Sequence, residues 1–216
     1  MFEHELFKYF DCRDLSLLHK RSQDVSLSKG DILFLQGHVG SYVYYVKSGT
    51  LKIVKTSEDG IDKIFSIYHA GQFVALNVLF NPPHYYIASG IAVEPCEVIA
   101  IPIDTLQAAI LASEQATMTW FAHLNQRLEN LQQLLTDQVF VGALERFRKL
   151  VKMFAKTHGR LVGEEVVIEL PITKQEMAEL LSVRRETFSR LLASLKDEGV
   201  CTFSHKQITV NANWIK

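Results

Sequence analysis

Five of the six glycines in residues 30–71 recur at nearly regular intervals: Gly30, Gly40, Gly49, Gly60 and Gly71, with gaps of 10, 9, 11 and 11 residues, Gly37 being the sixth. Between them lie runs rich in β-branched and aromatic residues, at 31–35, 42–46, 50–54 and 63–68. Short strands with a turn signal roughly every 8–12 residues build an all-β sandwich or barrel. The segments Lys47-Ser-Gly-Thr50 and Ser57-Glu-Asp-Gly60 have hairpin chemistry, because glycine supplies the positive φ that such turns need. A second strand-rich stretch, 87–93 and 96–101, follows Tyr85 and Tyr86.

From Asp104 the period changes, and no Pro or Gly interrupts the chain until Gly142. Phe121, Leu124, Leu128, Leu131 and Leu135 recur at spacings of 3, 4, 3 and 4, the a/d seam of packed helices. Asn125, Arg127 and Gln132 flank the seam as polar residues. A helix of about 20 residues, ~30 Å long, with so narrow a stripe suits contact with a second copy better than packing on its own domain. Five seam positions make a short coiled coil, so a homodimer needs other surfaces as well. The seam stops near Asp137–Ala143, and Gly142 reads as a hinge, since Gly costs roughly 1 kcal/mol in a helix interior. Another helix, about 143–157, carries Leu144, Phe147, Leu150, Val151 and Phe154 and stops at His158-Gly159. The stretch Val166-Val-Ile-Glu-Leu170 is strand-like and ends at Pro171.

The densest signal lies in residues 172–210. Thr173-Lys-Gln-Glu176 is a capping box, in which the hydroxyl satisfies a free backbone N–H and Glu176 reaches back. It opens a helix over 174–181 with Met177, Leu180 and Leu181 on one side. After a break at Ser182-Val183, a second helix over about 184–198 buries Phe188, Leu191, Leu192 and Leu195, and Gly199 closes it. Residues 200–203, a turn at 204–206 and residues 207–210 read as a two-stranded wing. Two short helices around a tight turn, then a hairpin, form a winged helix-turn-helix pattern. The second helix opens with Arg184, Arg185, Glu186, Thr187, Ser189 and Arg190. Arg bonds guanine in bidentate fashion, Glu accepts from cytosine, and Ser or Thr reaches phosphates or base edges. The competing reading is a solvent face with Glu186–Arg190 as an i,i+4 ion pair.

The 216 residues suffice for one large domain or two smaller ones. With 48% hydrophobic and 22% charged residues, the chain can bury a core without disulfide or metal staples. No apolar run approaches the roughly 18 residues of a membrane span, and the charged start lacks a signal-peptide core. Three scattered cysteines, Cys12, Cys96 and Cys201, argue against a disulfide scaffold and for a reducing, cytoplasmic setting. Residues 1–139 hold 10 Lys/Arg against 15 Asp/Glu, a net −5, while residues 140–216 hold 13 against 9, a net +4. A basic C-terminal third points to a polyanionic partner. The resulting divisions are a β domain over 1–103, a dimerisation helix and hinge over 104–141, and a DNA-binding domain over 142–216.

The chain over about residues 15–215 resembles the CRP/FNR superfamily of bacterial transcription regulators. The residues that carry the resemblance are Gly30-Asp31, Val46-Lys-Ser-Gly49, Gly71-Gln-Phe73, Thr173-Lys-Gln-Glu-Met-Ala-Glu-Leu-Leu181 and Arg185-Glu-Thr-Phe-Ser-Arg190. The resemblance implies an α+β chain: an N-terminal antiparallel β-roll (jelly-roll-like), a long dimerisation helix and a C-terminal winged helix-turn-helix. It implies a homodimer that reads an inverted repeat in double-stranded DNA with the equivalents of Arg185, Glu186, Ser189 and Arg190. Thr173, Lys174, Gln175 and Thr187 match residues that hold phosphates or the adjoining turn. Arg184, where relatives often carry a small polar residue, is assigned to phosphate. RNA polymerase is an expected partner, with the loop 158–165 as one candidate surface.

The effector side departs from the cyclic-AMP-binding branch. There the phosphate cassette reads Gly-Glu-Leu-Gly-Leu-Phe followed by Arg-Ser; here the aligned segment is Ala75-Leu-Asn-Val-Leu-Phe80. The ribose-contacting Glu becomes Leu76, the phosphate-pairing Arg aligns with Tyr86 and the Ser with Ile87. The adenine-contacting Thr–Ser pair aligns with Leu131-Gln132. No Lys or Arg lies between Phe73 and Glu94 to neutralise a buried phosphate. Only Cys12 stands where the FNR branch clusters cysteines, and an iron–sulfur cluster needs about four thiolates. Remaining effectors are an apolar or aromatic ligand against Leu76, Leu79, Phe80, Tyr85, Tyr86, Leu131 and Gln132; haem through His38, His69 or His84; thiol chemistry at Cys12 or Cys96; or none. An enzyme using the roll as a regulatory module is disfavoured, because no nucleophile elbow, P-loop, HExxH or dinucleotide fingerprint occurs. A non-specific DNA-binding protein is disfavoured by the modest charge.

Overall fold

The computed structural model describes residues 4–204 and 206–215, with the backbone alone at 137–140. His205, in the expected wing turn, lies outside the described residues. The chain divides into two compact units, residues 1–130 and 131–216.

The first unit opens with a 3-10 turn, Glu5–Tyr9, and helix α1, Cys12–Arg21. Eight strands follow: β1 Gln23–Leu27, β2 Ile32–Phe34, β3 Tyr42–Ser48, β4 Thr50–Thr56, β5 Asp62–His69, β6 Phe73–Val74, β7 Ser89–Ala92 and β8 Cys96–Pro102. They form two four-stranded antiparallel sheets, in the orders β1-β8-β3-β6 and β2-β7-β4-β5. Inward side chains of both sheets share one core that includes Val46, Leu51, Tyr68, Val98 and Ala100. This is the all-β packing expected from the glycine rhythm and the antiparallel roll that the family resemblance implies.

Two turns differ in kind. Ser57–Gly60 joins β4 to β5 as a hairpin, with Gly60 N–H on Ser57 O. Lys47–Thr50 is not a hairpin: β3 and β4 belong to different sheets, and Gly49 carries the chain from one to the other. Gly49 has φ +82, and a Cβ there would lie 2.4 Å from Pro95 O. Both the backbone angle and the space therefore require glycine. Strand β3 lacks apolar/polar alternation because both its faces are covered. Tyr44 stacks on Phe34 at 5.3 Å, while its neighbour Tyr45 packs against Phe7 and Phe73.

The helical stretch that begins at β8 is divided. Helix α2 spans Ile103–Ala112 and helix α3 Glu114–Phe140. Ser113 is extended, and its Oγ accepts the Ala116 N–H at 3.2 Å, which restarts the helix. The 27 residues of α3 make roughly 40 Å at the usual rise per residue. Leu124 packs partly on the core of the roll, whereas Phe121, Leu128, Leu131 and Leu135 are exposed.

In the second unit, Gly142 leaves helical geometry and starts α4, Ala143–His158. Strands β9 Gly159–Val162 and β10 Glu165–Glu169 follow, then α5 Lys174–Leu180, α6 Arg185–Asp197, β11 Cys201–Ser204 and β12 Gln207–Asn211. The wing is not a two-stranded piece. β12 also pairs with β10, giving an antiparallel sheet of order β11-β12-β10-β9. The expected loop 158–165 is the hairpin β9–β10, turned at Gly163 with φ +62. Phe147, Val151 and Phe154 of α4, spaced four and three apart, are fully buried with Ile168, Met177 and Ile208.

Candidate nucleic-acid interface

The capping box forms as the sequence requires. Glu176 N–H donates to Thr173 Oγ1 at 3.2 Å, and Thr173 N–H donates to Glu176 Oε2 at 2.8 Å. Helix α5 buries Met177 and Ala178. The chain then turns through Ser182, which adopts φ +53, and Val183 N–H bonds Ala178 O. Helix α6 is seated by Phe188, Leu192 and Leu195, all buried, with Phe188 edge-on to Phe147 at 5.5 Å. Leu191, expected in the buried set, is half-buried.

Apolar seating on one side leaves the other side of α6 free. Thr173, Lys174, Gln175, Arg184, Arg185, Glu186, Thr187, Ser189 and Arg190 are all exposed. No ion pair joins Glu186 to Arg190 among the described residues. Nor does any intramolecular side-chain hydrogen bond engage Arg184, Arg185, Glu186, Thr187, Ser189 or Arg190 there. The solvent-pair reading of this face is therefore not realised. Two neighbours are engaged. Lys174 Nζ sits 4.3 Å over the Phe203 ring of the wing, a cation–π contact that holds the ammonium beside α5. Gln175 Nε2 donates to Glu179 Oε1 at 3.1 Å. In the sequence Phe203 is simply part of the wing; nothing along the chain links it to Lys174.

The candidate effector residues in the first unit differ in burial. Leu79 and Tyr86 are core residues; Leu76 is partly buried; Phe80 and Tyr85 are exposed. Tyr86 lies against Phe34 at 4.6 Å, and its hydroxyl donates to Tyr42 O at 2.9 Å and stands 3.4 Å from the Tyr44 hydroxyl. Burial, then the Tyr86 hydroxyl, pushes the Tyr44 phenol above its ordinary range. Leu131 and Gln132 belong to the second unit and are exposed. Two cavities of about 450 and 480 Å³ in the first unit are lined by other residues, among them His4 and His123 in one, and Arg21 and His84 in the other.

Arg127, a polar flank by sequence, is half-buried. Its guanidinium lies 5.1 Å from the Tyr68 ring centre and donates to the Tyr68 hydroxyl. Its distance in sequence from Tyr68 hid this contact.

The candidate haem and thiol groups are mostly engaged by protein. His84 Nδ1 lies 2.5 Å from Val78 O, and His69 Nδ1 lies 3.2 Å from Thr50 Oγ1; His38 is exposed. Cys96 Sγ donates towards Thr50 O and Glu94 O, and burial pushes its thiol up, away from the reactive thiolate. Cys12 is exposed. Among the described residues no group of three or more His, Cys, Asp or Glu is placed to hold a metal ion, and no helix is long and apolar enough to cross a membrane.

The chain thus carries an antiparallel roll, a long helix and a helix-turn-helix whose α6 polar face has no side-chain partner among the described residues. Residues 24–113 match the Cyclic nucleotide-binding domain family, and residues 147–212 match the Crp-like helix-turn-helix domain family. The chain belongs to the CRP/FNR superfamily of transcription regulators. It is 22% identical to the CRP-like cAMP-activated global transcriptional regulator of Mycobacterium tuberculosis, over 95% of this chain and 92% of that one. It is 23% identical to the Anaerobic regulatory protein of Bacillus subtilis, over 85% of this chain and 77% of that one. The structure of FixK2 from Bradyrhizobium japonicum superposes with a TM-score of 0.75 at 20% identity, covering 89% of this chain and 93% of that one. Both of these sequence relatives are named as regulators.

Proposed function

We propose that the chain is a homodimeric regulator that reads an inverted repeat in double-stranded DNA through helix α6. The observation that carries this reading is the exposed face of Arg184, Arg185, Glu186, Thr187, Ser189 and Arg190, without side-chain partners among the described residues, on a helix seated from behind by Phe188, Leu192 and Leu195. Arg190 is assigned to a guanine of a TGA-like half-site, Glu186 to a cytosine amine on the opposite strand, and Arg185 to a flanking G·C pair. Ser189 and Thr187 reach phosphates or base edges. Thr173, Lys174, Gln175 and Arg184 contact the backbone.

Arg190→Ala should cost about 1–3 kcal/mol at the cognate site and relax preference at one position. Lys174→Ala should weaken cognate and random duplexes alike, because phosphates carry no sequence. Gel shifts at one stated salt concentration decide this. Undiminished discrimination by the Arg190→Ala protein would show that a different element reads the bases.

The dimer is assigned to the seam Phe121, Leu124, Leu128, Leu131 and Leu135. Support comes from exposure: Phe121, Leu128 and Leu135 leave 57%, 54% and 65% of their surface open in the single chain. Large apolar side chains repeated along a helix mark a surface that another molecule covers. Leu128→Glu would bring two unpaired carboxylates to the two-fold axis. Sedimentation at micromolar concentration should then show monomer; an unchanged dimer mass rejects the seam.

Neither cyclic AMP nor an N-terminal iron–sulfur cluster is the signal in this reading. Tyr86, aligned with the phosphate-pairing Arg, is spent on packing against Phe34 and on bonding Tyr42 O. Cyclic AMP at physiological levels should leave DNA affinity unchanged. Calorimetric binding at micromolar concentration, coupled to tighter DNA binding, would refute this.

A further inference from the structure

Arg146 lies on α4, and its guanidinium donates to two backbone carbonyls: Nη1 to Val141 O at 2.5 Å and Nη2 to Leu181 O at 3.0 Å. Each carbonyl stands at the C-terminal end of a helix. Val141 directly follows Phe140, the last residue of α3, and Leu181 is the C-cap of α5. Terminal carbonyls lack an intrahelical N–H and carry the negative end of the helix dipole, so a cation is favoured there. One guanidinium serves both ends. Its rigid planar fork aims two N–H groups at two acceptors at once, a geometry that a lysine ammonium does not hold.

The two carbonyls belong to segments that matter for α6. Val141 and Gly142 form the non-helical step between α3 and α4. Leu181 opens the turn that leads through Ser182 and Val183 to Arg184, the N-cap of α6. In that turn Ser182 holds a left-handed φ of +53, Ser182 N–H bonds Glu179 O, and Val183 N–H bonds Ala178 O. A non-glycine residue keeps such a conformation only where its surroundings enforce it. Arg146 bonds the Leu181 carbonyl at the start of that turn, which it reaches from the helix that follows the step.

We propose that Arg146 is a positioning residue for α6: it fastens the Val141–Gly142 step to the turn before the recognition helix, so that the two move together. The inference rests on the assignment of α6 as the DNA reader. It gives the chain a direct route by which displacement of the step re-aims Arg185, Glu186, Ser189 and Arg190.

The test uses full-length Arg146→Lys and Arg146→Gln proteins. Lys keeps the charge but not the fork, so both variants should behave alike. Amide exchange of residues 182–185 should quicken about tenfold, with circular dichroism and sheet protection unchanged. Cognate affinity should fall about tenfold while random-duplex affinity stays within about twofold. A purely structural role would instead lower both affinities together, in step with thermal stability, and that result overturns the proposal. So does quickened exchange with full discrimination, or full rescue by Lys. If the Gln protein fails to fold, the Lys protein decides. If the wild-type protein itself does not discriminate between duplexes, the DNA-reading assignment fails, whereas unchanged exchange in the variants overturns the fastening by itself.

Discussion

The DNA-binding unit depends on how one helix is seated. Phe188 meets Phe147 edge-on at 5.5 Å, and Leu192 and Leu195 continue the buried side of α6 towards Cys201 and the wing sheet. Hydrophobic burial is non-directional, so it fixes which side of the helix faces inward without using any polar group on the other side. The cost of that arrangement is a set of cations and a carboxylate that find no side-chain partner among the described residues. Two backbone-level devices refine the seating: the capping box at Thr173 and Glu176 orients α5, and the Arg146 guanidinium holds the carbonyl of Leu181. Packing sets the face, and hydrogen bonds set the angle.

In the roll, the same physics works against an inherited pocket. Strand β3 sends Tyr44 towards Phe34 and Tyr86 and sends Tyr45 towards Phe7 and Phe73. The phenol hydroxyls of Tyr44 and Tyr86 satisfy each other and the Tyr42 carbonyl, so the buried polar atoms need no ligand. On α3, Arg127 is half-buried and held against Tyr68.

Much of this was legible along the chain because it is local. Turn glycines spaced by about ten residues mark strand ends, and Thr173-Lys-Gln-Glu176 marks a helix start whatever lies around it. The burial of Phe147, Val151 and Phe154, and of Phe188, Leu192 and Leu195, follows from helical spacing alone. What stayed hidden is non-local. The 47–50 turn has hairpin residues, but only the sheet assignment shows that β3 and β4 part company at Gly49. The wing gains β10 and β9 through pairing across some forty residues. Helix α1 has a short apolar side, with Leu18 buried and Leu15 packed on the core, and Asp11 caps it by accepting the Asp14 N–H at 2.7 Å. Arg127, Arg146 and Phe203 act through partners far away in sequence or through backbone carbonyls, which no residue pattern announces.

The account stands or falls on whether the free face of α6, presented twice by a symmetric dimer, selects a symmetric sequence. The most direct measurement is selection of bound duplexes from a random pool by the full-length protein at fixed ionic strength. An inverted repeat with half-site centres about 10–10.5 bp apart, each containing a TGA-like core, is the predicted outcome. Enrichment of asymmetric sequences, or no enrichment over the starting pool, would contradict it.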